Sequence, residues 1–215
     1  MAVLKTVVAK ATVGSNPTLS VSPQVLASGF APVAQWIRAS DYGSEGRGFE
    51  SLPALFMFTD TYWMTQALEL AKRAAQMGEV PVGAVVVRND RLIATAHNLR
   101  QTDGNPIAHA EILAIQSAAR EAGDWRLTDT ALYVTLEPCS MCAGAILLAR
   151  IPRLIYATKD PKSGAVDTLF NLLSDQRLNH QAEIRSGVMW QESRELLQSF
   201  FQQRRENRVE SCRSG

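Results

Sequence analysis

Two short strings in this 215-residue chain carry side chains that could do chemistry together: His109-Ala110-Glu111 and, further along, Pro138-Cys139-Ser140-Met141-Cys142. One imidazole and two thiolates can hold a zinc ion and leave its fourth position open. Three protein ligands plus water is the arrangement of a catalytic zinc, whereas a structural zinc takes four protein ligands. Glu111, two residues after the imidazole, is then placed to move protons at the open position. Taken alone, His109 would be an ordinary core or surface residue and Cys139-x-x-Cys142 a redox pair. It is the combination, with Glu111 and Pro138 in register, that points to a metal-assisted reaction.

Two helix starts would position these groups. Ala131-Leu132-Tyr133-Val134-Thr135 is a short apolar run of β-branched and aromatic residues and reads as a buried strand. Pro138 stops it and suits the opening of a helix over Cys139–Ala149, where its missing N–H is no loss. Cys139 and Cys142, three apart, then share one face of the first turn, where backbone N–H groups and the helix dipole favour thiolate. His109 and Glu111 open a second helix with Ile112, Ile115 and Ala119 as its inward stripe.

The remaining elements follow from pattern. Asp60 can cap a helix carrying Met64, Ala67, Leu68, Ala71 and Ala75, with Tyr62 and Trp63 packing inward at its start. Val80–Arg88 reads as a buried strand, Asn89-Asp90 as a turn and Arg91–Ala96 as the hairpin partner. Arg153–Thr158 is a strand parallel to Ala131–Thr135, because a helix separates them. Glu183–Val188 supplies a fifth strand. Trp190–Arg208 is an amphipathic helix with Leu196, Leu197, Phe200 and Phe201 inward. Alternating strands and helices define an α/β class, a three-layer domain around one sheet.

Composition sets bounds. With 46% hydrophobic and 20% charged residues the chain can bury one sizeable core. Three cysteines, two of them committed to metal, leave Cys212 in a polar tail, residues 209–215; this fits a reducing cytoplasm and no disulfide framework. The formal charge of +1 announces no nucleic-acid partner, and from Met57 onward basic and acidic side chains balance. Residues 1–56 are rich in Gly and Pro and have no sustained period. Gly48-Phe49-Glu50-Ser51 can be encoded by GGG-TTC-GAA-TCC, the T-arm sequence of tRNA genes. Gly14-Ser15-Asn16-Pro17 can be encoded by the same sequence in another frame, and Val33-Ala34-Gln35-Trp36-Ile37 by a D-arm-like one. Residues 1–56 are therefore expected to be a disordered extension or translated tRNA genes ahead of a start at Met57, with one catalytic domain over residues 57–208.

From Tyr62 to Arg205 the chain resembles bacterial tRNA-adenosine deaminases, within the cytidine-deaminase-like superfamily. The resemblance rests on Val80-Pro81-Val82-Gly83-Ala84-Val85, Asn98, Ala108-His109-Ala110-Glu111, Leu132 to Cys139, Met141-Cys142-Ala143-Gly144-Ala145 and Lys162-Ser163-Gly164-Ala165. It implies a five-stranded mixed sheet between helices, a homodimer, and one Zn²⁺ per subunit held by His109, Cys139 and Cys142. It implies a hydrolase of a cyclic amidine C–N bond that turns adenosine into inosine at the first anticodon position of an arginine tRNA, with Glu111 shuttling protons. Asn98 would hydrogen-bond the base, and Lys159, Asp160 and Lys162 would border the RNA groove. On the last helix Phe201 could stack a base while Arg204, Arg205 and Arg208 meet phosphates, although such a run also suits a solvated face. Two rivals share parts of the pattern: a deaminase of a free guanine or cytosine derivative, and a zinc-stabilised binding module without activity. The latter leaves Glu111 without a role and the metal without a fourth ligand.

Overall fold

A computed structural model describes residues 59–213, with side chains described through Val209. The expectations for residues 1–56 and for Cys212 lie outside these described parts. Among the described residues a five-stranded sheet runs in the order β2-β1-β3-β4-β5. Its strands are β1 (Gly83–Arg88), β2 (Arg91–His97), β3 (Thr130–Leu136), β4 (Arg153–Thr158) and β5 (Glu183–Ser186). β1 pairs antiparallel with β2 and β3, whereas β3, β4 and β5 are mutually parallel, so the sheet is mixed as expected. Asn89 and Asp90 both take positive φ (49° and 55°), the geometry of the tight turn that joins β1 to β2.

Strand alternation sorts the core into two layers. Ala84 and Val86 of β1, with Leu132 and Val134 of β3, face helices α2 (Ala110–Ala122) and α3 (Ser140–Leu148). Val85, Val87, Tyr133 and Ile155 face Trp63, Met64, Ala67 and Leu70 of α1 (Asp60–Gln76). The last helix, α4 (Trp190–Arg213), packs on the α1 side against β3 and β4. Here the side-chain hydroxyl of Ser193, buried, donates to the Thr135 carbonyl at 2.5 Å. Gly83 marks the closest approach of helix to sheet, since a Cβ there would lie 2.0 Å from the Ala67 carbonyl oxygen. No helix among the described residues is long and apolar enough to cross a membrane.

Several expected details shift. Thr59, in extended conformation, caps α1 and accepts from the Tyr62 N–H at 3.3 Å. Asp60 is drawn away instead: its carboxylate accepts from the Tyr133 hydroxyl at 2.8 Å and from Arg185. Tyr62 is exposed while Trp63 is buried, and Ala74 rather than Ala75 faces the core. Strand pairing begins at Gly83 and not Val80, because the Val80 carbonyl is taken by the Val82 N–H and the Asn98 side chain. On α2 the buried stripe is Ala110, Glu111, Ala114, Ile115 and Ala118, so Ile112 and Ala119 sit half-buried at its edge. β5 stops at Ser186, before Gly187 turns the chain with φ of 87°. α4 runs on to Arg213, with Phe200 buried, Leu196 and Leu197 half-buried, and Phe201 exposed.

Candidate active site

Ligands in open α/β sheets sit outside the carboxyl ends of the strands, and the reactive residues here converge there. β3 ends at Leu136 and its extension delivers Cys139, the N-cap of α3; α2 begins just after His109, its own N-cap. These two helix starts bring His109 Nδ1 to 3.7 Å from Cys139 Sγ and 3.5 Å from Cys142 Sγ, with the sulfurs 3.7 Å apart. The triangle could hold a metal ion, and it is the only such group among the described residues. Hydrogen bonding from the Cys142 thiol, then from His109, holds Cys139 down at about 4 against the opposing effect of burial. Cys142 is pushed above the ordinary thiol range because its proton is committed to Cys139 and its surroundings are buried. His109 is raised, mainly by its bond to Cys139.

Glu111 lies on the first turn of α2, only 4% exposed, and its carboxyl contacts the Cys142 thiol. Burial, the largest influence, pushes it up to about 7. A carboxyl poised there both accepts and returns protons near neutrality.

In front of the triangle opens a cavity of about 880 Å³. The structure places nine of the expected site residues on its wall: Asn98, His109, Glu111 and Cys139 at the base, then Lys159, Asp160, Lys162, Phe201 and Arg205 toward the rim. Cys142 is fully buried behind them. Arg204 is not part of the wall, because its guanidinium stacks 5.6 Å from the ring centre of Phe200. Asp160 reaches the rim with its carboxylate already engaged, accepting from Lys162 N–H at 2.9 Å and Ser163 Oγ at 2.5 Å.

Asn98 does something that its sequence context did not reveal. Its amide donates to the Val80 carbonyl at 3.2 Å and accepts from the Ala110 N–H at 2.9 Å, bracing the start of α2. One amide N–H and one lone pair remain for a ligand. Sequence reading also missed Arg100, Gln198 and Gln202 on the wall. Arg100 carried a signal, two residues after Asn98; the glutamines are recognisable only once α4 is folded over the site. Two buried carboxylates hold the loops of the cavity, Glu79 outside its wall and Glu137 within it. Glu79 accepts from the Gln101 and Thr102 N–H groups (2.8 and 2.7 Å), and Glu137 accepts from the opposite loop.

A mixed sheet of this order, with His/Cys/Cys at two helix starts and a buried carboxylate beside them, defines a deaminase of the cytidine-deaminase-like class. Comparison with known proteins narrows this. The MafB19-like deaminase family model matches residues 58–205. The chain is 49% identical to the tRNA-specific adenosine deaminase of Bacillus subtilis (strain 168) over 152 residues, 71% of this chain and 94% of that one. A solved structure from studies of A-to-I editing by tRNA:A34 deaminases at the wobble position of transfer RNA superposes with a TM-score of 0.62 at 44% identity, covering 64% of this chain and 99% of that chain. A guanine deaminase from Nitrosomonas europaea shares the fold alone, at 22% identity and a TM-score of 0.60 over 66% of this chain and 84% of that one. The chain belongs to the tRNA-specific adenosine deaminase family.

Proposed function

We propose that this enzyme hydrolytically deaminates adenosine to inosine at the first anticodon position of a tRNA, an arginine tRNA by the family resemblance, with one zinc ion per chain. The observation that carries the reading is the placement of Glu111: a buried carboxyl, poised near neutrality, beside the His109/Cys139/Cys142 triangle at the base of a cavity large enough for a nucleoside. Zinc fits the triangle. Tetrahedral Zn–S bonds of about 2.3 Å and a Zn–N bond of about 2.0 Å require ligand separations of about 3.8 Å between sulfurs and about 3.5 Å from sulfur to nitrogen. The observed 3.7, 3.7 and 3.5 Å agree. When bound there, zinc supplies the Lewis acidity that makes water nucleophilic near neutral pH.

The protein's own groups do the rest. Glu111 takes a proton from the attacking water and delivers it to the ring nitrogen beside the reacting carbon. As the water oxygen bonds to that carbon, Glu111 takes the second proton from this oxygen and passes it to the amino group; the C–N bond breaks as the C=O forms, so water and adenosine yield inosine and ammonia. Asn98 orients the base with the amide N–H that its brace does not use. Phe201, 43% exposed on the cavity wall, offers a face on which a base can stack. Arg100, Lys159, Lys162 and Arg205 gather four cations at one mouth although the chain as a whole is nearly neutral, which suits a phosphate backbone. An anticodon base is already in a loop, so presenting it costs less than flipping it from a duplex. Pairing of two copies, which the resemblance implies, would cover apolar side chains left in water such as Leu148 and Phe170.

The test is inosine formation in an anticodon stem-loop RNA, set against free adenosine, cytidine and guanine. Deamination confined to the RNA adenosine, and lowered by about 10²–10⁴-fold in Glu111→Ala with zinc retained, is the expected result. Faster turnover of free guanine or cytidine would move the enzyme to another branch of the superfamily.

A further inference from the structure

Glu137 is a carboxylate that the reaction above does not use, yet it is the most heavily bonded side chain near the site. It is 2% exposed and stands two residues before Cys139. One of its oxygens, Oε1, accepts from three successive N–H groups: Val166 at 3.1 Å, Asp167 at 2.8 Å and Thr168 at 3.0 Å. The other, Oε2, accepts from the Asp160 N–H at 3.0 Å and from the Thr168 hydroxyl.

The segment that it gathers is the one bearing the cavity's cationic rim. Asp160, held by Glu137 through its backbone, holds in turn Lys162 and Ser163 through its side chain. Lys159, Asp160, Pro161, Lys162 and Ser163 all line the cavity. Two further ties fasten this loop to the Cys139 strand end: Ala165 N–H donates to the Pro138 carbonyl at 2.9 Å, and Gly164 forms an antiparallel bridge with Cys139. Gly164 lies so close that a Cβ on it would fall 2.4 Å from Cδ and Oε2 of Glu137. A bare loop of this kind would carry its lysines through many conformations, and ordering them on binding would weaken the complex. A buried charge with several donors converging on it removes that freedom in advance.

We propose that Glu137 is a positioning residue: its carboxylate fixes the Asp160–Ser163 turn so that Lys159 and Lys162 meet the RNA backbone beside the reacting nucleotide. This rests on the reading of the substrate as RNA.

The two oxygens make the inference separable from general stability. In Glu137→Gln, Oε1 can keep its three N–H donors, and the Thr168 hydroxyl can turn to accept from the new amide. Only the Asp160 N–H then faces another donor, so the substitution releases the cavity side of the loop selectively. Gly164→Ala attacks the same tether from the loop side and carries the test if the glutamine variant does not fold. Full-length enzyme is assayed on the stem-loop RNA over a range of salt. The expected result is a KM raised about tenfold or more, as one charge-assisted bond is worth. The salt dependence of KM should be shallower, as when phosphate contacts are lost. Zinc content should be unchanged and kcat at saturating RNA within about threefold, since uniform binding alone is lost. Lys162→Ala should do the same, and combined with Glu137→Gln should add little, because the two act through one contact. An unchanged KM and salt slope, or a kcat that falls in step with zinc loss, overturns the proposal while leaving RNA deamination intact. A wild-type enzyme that turns over a free base and not the stem-loop overturns the functional reading and this inference with it.

Discussion

Replacing Asn98 separates the two tasks that the structure gives it. In Asn98→Ala the Ala110 N–H at the start of α2 loses its acceptor at a residue with no exposed surface, and the first N–H groups of a helix have no partner within it. Leaving such a donor buried and unpaired costs about 1–3 kcal/mol. The Val80 carbonyl fares better, because it still accepts from Val82 N–H, so the lost bond from Asn98 removes about 0.5–1.5 kcal/mol. Together these give a loss of about 1.5–4.5 kcal/mol; at about 2–4 °C per kcal/mol for a chain of this size, Tm should fall by roughly 3–18 °C. Asn98→Asp keeps the acceptor for Ala110 N–H and places a charge at the favourable end of the α2 dipole, worth about 0.3–1 kcal/mol against the lost Val80 bond. It should therefore melt within a few degrees of the natural protein. Its missing N–H should nevertheless lower kcat/KM for the stem-loop by up to about tenfold. Thermal melts and steady-state kinetics on both variants decide the matter. Asn98→Ala melting with the natural protein refutes the brace, and Asn98→Asp with full kcat/KM refutes the contact to the base.

Cys142→Ser should lose most of its zinc by elemental analysis, since two remaining ligands hold the ion poorly; about one zinc per chain in the variant would misassign the triangle. Gly83→Ala sets a Cβ 2.0 Å from the Ala67 carbonyl and 2.7 Å from Ala71 N, backbone atoms that move only if α1 lifts from the sheet, and should destabilise by about 1–3 kcal/mol or more in denaturant titration. Tyr133 and Tyr156 are both raised above the ordinary tyrosine range, first by burial and then by bonds to Asp60 and Asp167. With folded values above the unfolded one, their contribution is fully present below pH of about 10 and is lost as pH rises beyond it, so tyrosinate absorbance from these two should appear only as the chain unfolds in alkali. Their ionisation in protein that keeps its native circular dichroism would contradict this.

The His109/Cys139/Cys142 triangle and Glu111 beside it could be read from the chain because the proposed chemistry needs particular side chains a few residues apart, on helix starts that Pro138 and the apolar strand before it announce. The direction of one strand pair was legible for a similar local reason: Arg153–Thr158 follows a strand and a helix, and parallel pairing with β3 results. What misled was local competition. Asp60 has the right type for a cap, but a tyrosine hydroxyl and an arginine on distant strands claim its carboxylate and leave the capping to Thr59. On α4 the apolar pair Phe200-Phe201 has no sequence signal that separates its members. Folding puts Phe200 under the helix and leaves Phe201 facing the cavity.

Long-range bonds account for the remainder, and they have a common form. Two loops beside the cavity are each fastened by a buried carboxylate: Glu79 for the loop with Arg100, Glu137 for the loop with Lys159 and Lys162. The third wall, α4, is fastened by the Ser193 hydroxyl on the Thr135 carbonyl and by the burial of Phe200. Each of these anchors acts on backbone whose own sequence does not name the partner. A reading that searches for reactive side chains finds the centre of such a site and misses its frame. The proposed recognition of an RNA loop would depend on that frame, because the lysines and arginines proposed to meet phosphates stand on loops whose shape the anchors set in advance. Substitutions at the anchors should accordingly show first in KM for RNA and in its salt dependence, whereas substitutions at the triangle and Glu111 show in metal content and kcat.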